Sequence, residues 1–219
     1  MNLRVLDLFC GAGGCSRGYH DGFTAAGFTV DIVGVDHAPQ PNYPFTFVQA
    51  DAMTFPLDGF DFIHASPPCQ LFSRAGHLRD AQGGTPSSVD LMTPTRPRLE
   101  AAGVPWVMEN VPGAPMEGVT LCGSMFGLRV RRHRVFESSE LLMRLECRHA
   151  EQGRPVGVYH VMGDEVPSGG RTARSLEEGQ AAMGVDWMPW RELKEAVPPA
   201  YTAFIAGQVA PTLRRKVAA

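Results

Sequence analysis

The feature that most constrains this chain is the spacing of its short apolar runs. Leu3–Phe9, Phe28–Val35, Thr46–Gln49 and Asp61–Ala65 all fall within the first 65 residues. The first run opens into a glycine turn (Gly11, Gly13, Gly14), the second ends in Asp36, the third in Asp51 and the fourth in Ser66-Pro67-Pro68. Apolar runs of this length, stopped by Gly, Asp or Pro, read as parallel strands buried on both faces. Between the first two, Arg17–Ala26 has the length of a crossover helix, and Gly27 supplies a left-handed stop. The fold class expected is therefore α/β, and ligands of such sheets bind at the carboxyl ends of the strands.

The remainder continues the pattern less regularly. Val89–Ala102 is a helix candidate that Pro94 and Pro97 shorten or bend, and Pro105–Met108 is a fifth strand ending in Glu109-Asn110-Val111-Pro112. A sixth strand is expected around Arg132–Glu137, and residues 138–170 have no clear periodicity. Arg174–Met183 and Arg191–Val197 read as short helices, and Tyr201–Val209 as an apolar helix returning to the core. With 219 residues, 44% hydrophobic and 20% charged, the chain has enough apolar material for one core and a small annex, which excludes disorder as its main state. No run approaches the ~18 apolar residues of a membrane span. Met1–Val5 runs straight into a strand, so no signal peptide is expected. Five cysteines without framework spacing fit reduced thiols in a cytoplasm.

Net charge is −3, which by itself gives no hint of a polyanionic partner, but the charge is divided. Residues 1–61 hold two Arg against seven Asp, whereas residues 129–174 hold nine Arg against five Glu and one Asp. The arginines concentrate in Arg129-Val130-Arg131-Arg132-His133-Arg134, either a solvated charged strand or a stripe that faces phosphates.

Chemistry gathers at the strand ends. The turn Asp7-Leu8-Phe9-Cys10-Gly11-Ala12-Gly13-Gly14 lets backbone approach a ligand where a Cβ would clash, and it lacks the Gly-x-Gly-x-x-Gly spacing of a dinucleotide site. Asp36 is placed to accept hydrogen bonds from ribose hydroxyls and Asp51 from an adenine amino group. Either alone reads equally as a turn or cap residue, but three acids in register at successive strand ends favour a ligand. In Ser66-Pro67-Pro68-Cys69-Gln70 two prolines stiffen the backbone before a cysteine at a strand's carboxyl end, a setting for a positioned thiolate nucleophile. Cys10 and Cys15 read as small packed residues and Cys122 as core. Cys147 and His149 have no C-x-x-C partner, so no metal site is expected. Glu109 closes the apolar Trp106-Val107-Met108, where burial can raise a carboxyl pKa toward proton donation.

Asp7–Gly14, Asp36, Asp51, Pro68-Cys69-Gln70, Glu109-Asn110-Val111 and Arg132-His133-Arg134 occur in an order and type that resemble the DNA (cytosine-5) methyltransferases, most of all the compact phage and bacterial members. The resemblance implies a Rossmann-like methyltransferase sheet, S-adenosyl-L-methionine as methyl donor and cytosine in duplex DNA as acceptor. It implies that Cys69 adds to C6 of the base, that Glu109 meets N3, and that Arg134 and Arg132 hold the base carbonyl and neighbouring phosphate. Cofactor contacts are implied for Asp7, Phe9, Cys10, Gly11, Ala12, Gly13, Gly14, Asp36, His37, Asp51, Ala52, Pro68 and Gln208. Contacts to the nucleic acid are implied for Gln70, Ser73, Arg74 and Asn110, with the loop through residues 83–88 closing over a base flipped out of the stack. Arg129 and Arg131 are expected to touch phosphates.

The expected division is a catalytic domain over 1–137, a target-recognition subdomain over 138–194, and a returning C-terminal helix over 195–219. The expected partner is duplex DNA, with no membrane and the chain acting as a monomer; RNA or a modified pyrimidine as acceptor and a catalytically weak DNA-binding subunit are the competing readings. Three departures from the family pattern stand out: Val130 stands where Gln is usual, Gln208 stands where Asn is usual, and the Ser or Ala before the closing Val is missing, since Val209 follows Gln208 directly.

Overall fold

The computed structural model describes residues 1–72, 89–159, 165–166 and 170–217. Its main sheet has seven strands: β1 (Asn2–Leu8), β2 (Thr29–Asp36), β3 (Thr46–Gln49), β4 (Phe62–Ala65), β5 (Trp106–Asn110), β6 (Val119–Leu121) and β7 (Arg134–Ser138). They lie in the order β3-β2-β1-β4-β5-β7-β6. Strands β1 to β5 pair in parallel, and β7 runs antiparallel to both β5 and β6. Strand order reverses at β1, which opens a crevice at the carboxyl ends of β1, β2 and β4. The expected α/β class and the parallel run of strands are what the molecule adopts. The three-residue β6 escaped the sequence reading because so short a segment carries no measurable alternation.

The helices are α1 (Gly14–Ala25), α2 (Met92–Ala101), α3 (His149–Gln152), α4 (Leu176–Met183), α5 (Trp190–Leu193) and α6 (Pro199–Val217). Side chains alternate across each strand, so each strand feeds two layers. Leu3, Val5, Phe62, Val107 and Phe136 enter one layer with Tyr19 and Phe23 of α1 and Tyr201, Ile205, Val209 and Leu213 of α6. Leu6, Leu8, Val35, Ile63 and Met108 enter the other with Met92 and Leu99 of α2. Cover on both faces accounts for strands that read as unbroken apolar runs.

Several helix boundaries differ from expectation, α5 stopping at Leu193 rather than Val197, and two of the differences bear on the packing. Helix α1 begins at Gly14 rather than Arg17, because Gly13, at φ 83°, turns the chain directly into it. Helix α6 has 19 residues and continues through Pro211 to Val217, since Leu213 beyond the proline is buried against the core. The two helices run side by side in the same direction at backbone distance. A Cβ on Gly14 would lie 2.2 Å from the Val197 carbonyl oxygen, and one on Gly18 2.0 Å from that of Pro199. One on Gly22 would lie 2.6 Å from the Ala206 Cβ. Glycines four residues apart form one stripe on a helix, so this face of α1 has no side chains to hold α6 away.

A second sheet, in the order β8-β10-β9, comprises β8 (Val156–Gly157), β9 (Glu165–Val166) and β10 (Gly170–Thr172). With α4 and α5 it surrounds a separate apolar cluster that includes Val156, Val158, Ala173, Met183, Met188 and Leu193. Ala12 of the glycine turn and Val130 join the same cluster, which ties this unit to the crevice. Helix α4 starts at Ser175, whose hydroxyl accepts the Glu178 amide at 3.2 Å. Among the described residues no helix is long and apolar enough to cross a membrane.

Candidate active site

The chain leaves β1 through a strained turn. Phe9, at φ 58°, is the one non-glycine with positive φ among the described residues, and Gly11 follows at φ 47°. The Cys10 amide donates to the Val35 carbonyl at 3.1 Å, which pulls the turn over the end of β2. Gly11 N–H then donates to Asp36 Oδ2 at 3.1 Å, and Ala38 N–H to Asp36 Oδ1 at 3.0 Å. Each carboxylate oxygen keeps a lone pair for a further donor. A Cβ on Gly11 would meet nothing within 4 Å, so the turn borders open space. A glycine-lined edge beside an acceptor carboxylate suits the ribose and methionine portions of a nucleoside cofactor, and these residues therefore fit S-adenosylmethionine.

The other cofactor candidates are distributed around this edge. His37 Nδ1 lies 3.2 Å from Asp36 Oδ1, and the His37 side chain is exposed. Asp51 is exposed and accepts the Met53 amide at 2.9 Å, closing a turn that leaves Ala52 buried. Asp7 sits beneath the turn with no exposure, accepting a hydrogen bond from Ser16, which in turn contacts the Tyr43 hydroxyl at 2.6 Å. Burial lifts its carboxyl from the ordinary 3.8 to about 7. Its place is under the turn, as a support for Gly11–Gly14, rather than on the open edge.

Across the crevice, β4 ends in Ser66, whose amide donates to the Leu8 carbonyl at 3.0 Å, and the two prolines carry the chain to Cys69. Asn110 Nδ2 donates to the Pro67 carbonyl at 3.0 Å, fastening the cysteine turn to the end of β5. The β5–β7 register pairs Asn110 with Val135, which brings Arg134 beside Glu109. Arg134 Nε lies 2.9 Å from Glu109 Oε1, both side chains nearly buried. Burial raises the Glu109 carboxyl, and Arg134, Ser66 and Arg132 counter it only in part. Burial also raises the Cys69 thiol, with Arg134 and Arg132 opposing and Glu109 and Glu195 reinforcing. Burial thus opposes the thiolate form of this nucleophile, and the two arginines favour it.

Arg132 is 2% exposed and donates to the Lys194 carbonyl at 2.6 Å, while its guanidinium lies 4.5 Å from the Tyr159 ring centroid. Its Nε and Nη1 are buried without a hydrogen-bond acceptor. Buried donors of this kind are uncommon, and here they adjoin the cysteine. Cys69, Glu109, Arg132 and Arg134 are therefore near enough to act on one another, together with residues the sequence did not single out. Glu195 and Tyr159 arrive from the distant part of the chain with no local signal. His64 and Ser66 lie under the pocket: Tyr19 OH is 3.0 Å from His64 Nδ1, and His64 Nε2 is 2.8 Å from Ser66 Oγ. Burial lowers His64 to about 3, so it is neutral. Ser66 also bonds Glu109, so a hydrogen-bonded chain runs from Tyr19 through His64 and Ser66 to Glu109.

Other expectations need correction. Gln208 does not join the cofactor edge, because its Oε1 accepts the Met143 amide at 2.5 Å. It lies six residues, or about 9 Å of helix rise, beyond Thr202, whose hydroxyl bonds the Cys15 carbonyl. Val197 and Pro199 cover that end of α1 instead. Arg131 is no free phosphate ligand: its Nε donates to Gln152 Oε1 at 2.9 Å and its Nη2 to the His149 and Gly153 carbonyls. Arg129 pairs with Glu178 at 3.4 Å and remains half exposed. Gln70 follows Cys69 in an exposed turn, and Pro68 is half-buried beside it. Ser73, Arg74 and the loop through 83–88 lie outside the described residues. Cys122, Cys147 and His149, separate in the sequence reading, come together with His133.

Residues 3–114 match the family model for C-5 cytosine-specific DNA methylases. The chain belongs to that family. S-adenosylmethionine is accordingly its cofactor. Within 121 residues this methylase family member is 28% identical to the Homo sapiens tRNA (cytosine(38)-C(5))-methyltransferase, a match covering 51% of this chain and 31% of that protein. The fold is that of the S. pombe Dnmt2 methyltransferase, with TM-score 0.60, 14% identity and coverage of 97% of this chain and 99% of that one. It is also that of the Entamoeba histolytica methyltransferase EhMeth, with TM-score 0.57, 10% identity and 99% coverage of each chain.

Proposed function

We propose that this cytosine-5 methylase transfers a methyl group to C5 of a cytosine flipped out of duplex DNA. The observation that carries the reading is the grouping of Cys69, Glu109 and Arg134 at the carboxyl ends of β4 and β5, where Arg134 pairs with Glu109 and both act on Cys69. The bound cofactor supplies an electrophilic methyl group. Cys69 gives its proton to solvent as its sulfur bonds C6 of the base, and the ring electrons move toward C5. Glu109, whose carboxyl burial raises against the pull of Arg134, meets N3 and offsets the charge that addition creates. Arg132 offers its two unpaired N–H groups to the base carbonyl, and Arg134 keeps Glu109 in place. After C5 has taken the methyl group, leaving S-adenosylhomocysteine, it gives up its hydrogen as a proton to solvent, the C6–S bond breaks with its electron pair passing to sulfur, and the released thiolate regains a proton.

We assign the cofactor edge to Phe9–Gly14, Asp36, His37, Asp51, Ala52 and Pro68. The nucleic-acid contacts are assigned to Gln70, Ser73, Arg74 and Asn110. Target recognition is assigned to 138–194, on the catalytic domain 1–137 with the helix of 195–219 behind it.

RNA is the second reading, favoured by the similarity to a tRNA cytosine methyltransferase over half of this chain. The chemistry at C6 and C5 is the same, so the acceptor decides. Transfer of a tritiated methyl group from S-adenosylmethionine to duplex DNA and to tRNA, side by side, tests the proposal. Incorporation into DNA that disappears in Cys69→Ser, with cofactor affinity retained, is expected. Incorporation into tRNA alone would move the assignment to RNA, and full activity of Cys69→Ser would end the mechanism.

A further inference from the structure

We propose that Cys122, His133, Cys147 and His149 bind a structural zinc ion outside the catalytic pocket. The four side chains come from three separate places: the end of β6, the residue before β7, and the entry to α3. Ten residues separate Cys122 from His133 and thirteen separate His133 from Cys147, a spacing that matches no zinc-finger pattern. Their ligand atoms nevertheless all lie within 4.8 Å of one another. Cys122 Sγ is 3.3 Å from His149 Nε2, and Cys147 Sγ is 3.4 Å from His133 Nε2.

Those separations are the ones a tetrahedral ion requires. With Zn–S near 2.3 Å and Zn–N near 2.0 Å, neighbouring ligands in an S2N2 tetrahedron stand about 3.3–3.8 Å apart. Two of the contacts already meet that requirement, and the widest pair has only about 1 Å to close. The imidazole rings meet nearly edge to face, at 87°, so both nitrogens can address one point from different directions. The donor set is two thiols and two imidazoles without a carboxylate, which selects zinc over magnesium or calcium. Binding Zn2+ as a dithiolate would release two protons and leave the site neutral.

The surroundings hold the ligands in place. Ser124 Oγ donates to Cys122 Sγ at 3.3 Å and accepts the Arg148 amide at 3.1 Å, joining the first cysteine to the segment that bears the second cysteine and the second histidine. Arg131 grips the His149 carbonyl. Zinc would therefore clamp the 147–149 segment onto the catalytic sheet. Because His133 stands between Arg132 and Arg134, the same ion would fix the backbone that presents both arginines to the pocket.

The experiment is metal analysis of the full chain purified without chelator, followed by exchange with cobalt(II). A single zinc per chain is expected, released when the thiols are titrated with a mercurial. The cobalt form should show thiolate charge-transfer absorption and the intense visible bands of a tetrahedral site. Cys147→Ser and His149→Gln should each weaken zinc affinity by more than the order of tenfold that the loss of an outer partner costs, while Cys69→Ser keeps it. If the variants fail to fold, the wild-type cobalt spectrum decides. The proposal is overturned by a wild-type chain with neither zinc nor a tetrahedral cobalt spectrum, by a Cys122–Cys147 disulfide in place of metal, or by folded variants that retain it.

Discussion

Replacing Gly18 by alanine and, separately, Gly207 by alanine should change stability in opposite directions, although both glycines lie inside helices. Helix propensity alone favours alanine over glycine by about 0.8–1.0 kcal/mol at each position. At Gly207 a Cβ meets nothing within 4 Å, so the full gain of about 1 kcal/mol should appear. At Gly18 it would stand 2.0 Å from the Pro199 carbonyl oxygen and 2.1 Å from Thr202 Oγ1, whereas ordinary contacts begin near 3.4 Å. The Pro199 obstacle is backbone and cannot rotate aside, so the first turn of α6 must retreat by more than 1 Å. Overpacking of this kind costs about 1–3 kcal/mol, and a backbone clash belongs at the upper end, leaving a net loss of about 2 kcal/mol. For a chain of this size 1 kcal/mol moves Tm by about 2–4 °C, so Gly18→Ala should fall by about 4–8 °C and Gly207→Ala rise by about 2–4 °C. Scanning calorimetry of the two variants measures both. Cofactor affinity should weaken in Gly18→Ala alone, because the displaced turn lies next to Val197, which covers Gly14. A Gly18→Ala protein as stable as Gly207→Ala would refute the close α1–α6 packing.

Two further outcomes follow from the buried acids. Glu109→Gln should lower methyl transfer by about 10²-fold or more while cofactor binding persists, and a rate within a few-fold of wild type in a single-turnover assay would remove the proton-donor role. Asp7, raised to about 7, stabilises the fold at low pH and loses that contribution as pH rises from about 4 to 7. His64, lowered to about 3, does the reverse and loses stability as pH falls through 6.5. Removing the first contribution with Asp7→Asn should make stability, relative to wild type, rise by as much as about 1.4 kcal/mol per pH unit between pH 4 and 7. Denaturant titrations at several pH values measure this, and a pH-independent difference would contradict the burial argument.

Much of the framework was legible because it depends on short stretches of chain. The run Thr46–Gln49 reads as a strand and is one, with the same ends. The glycines after Asp7 mark a turn whose positive φ values suit few other residues. Cys69 and Glu109 could be singled out because each stands just beyond an apolar run, next to prolines or near a strand's end. The errors arise where a side chain's partner is distant in sequence. Arg131 looked like part of a phosphate stripe, but its donors are taken by residues 149–153. Gln208 looked like a cofactor residue, but the Met143 amide occupies it.

Sequence by itself determined the α/β class, the strand ends that bear the reactive groups and the methylase family, because periodicity, turn chemistry and motif order are local properties. Tertiary structure alone decided which arginines are free, which carboxyl is buried, and that Cys122, His133, Cys147 and His149 meet. Those outcomes depend on the strand order β5-β7-β6 and on the path of residues 139–149 across it. Residues far apart along the chain become neighbours only once the sheet has set their distances, and burial then sets their charge.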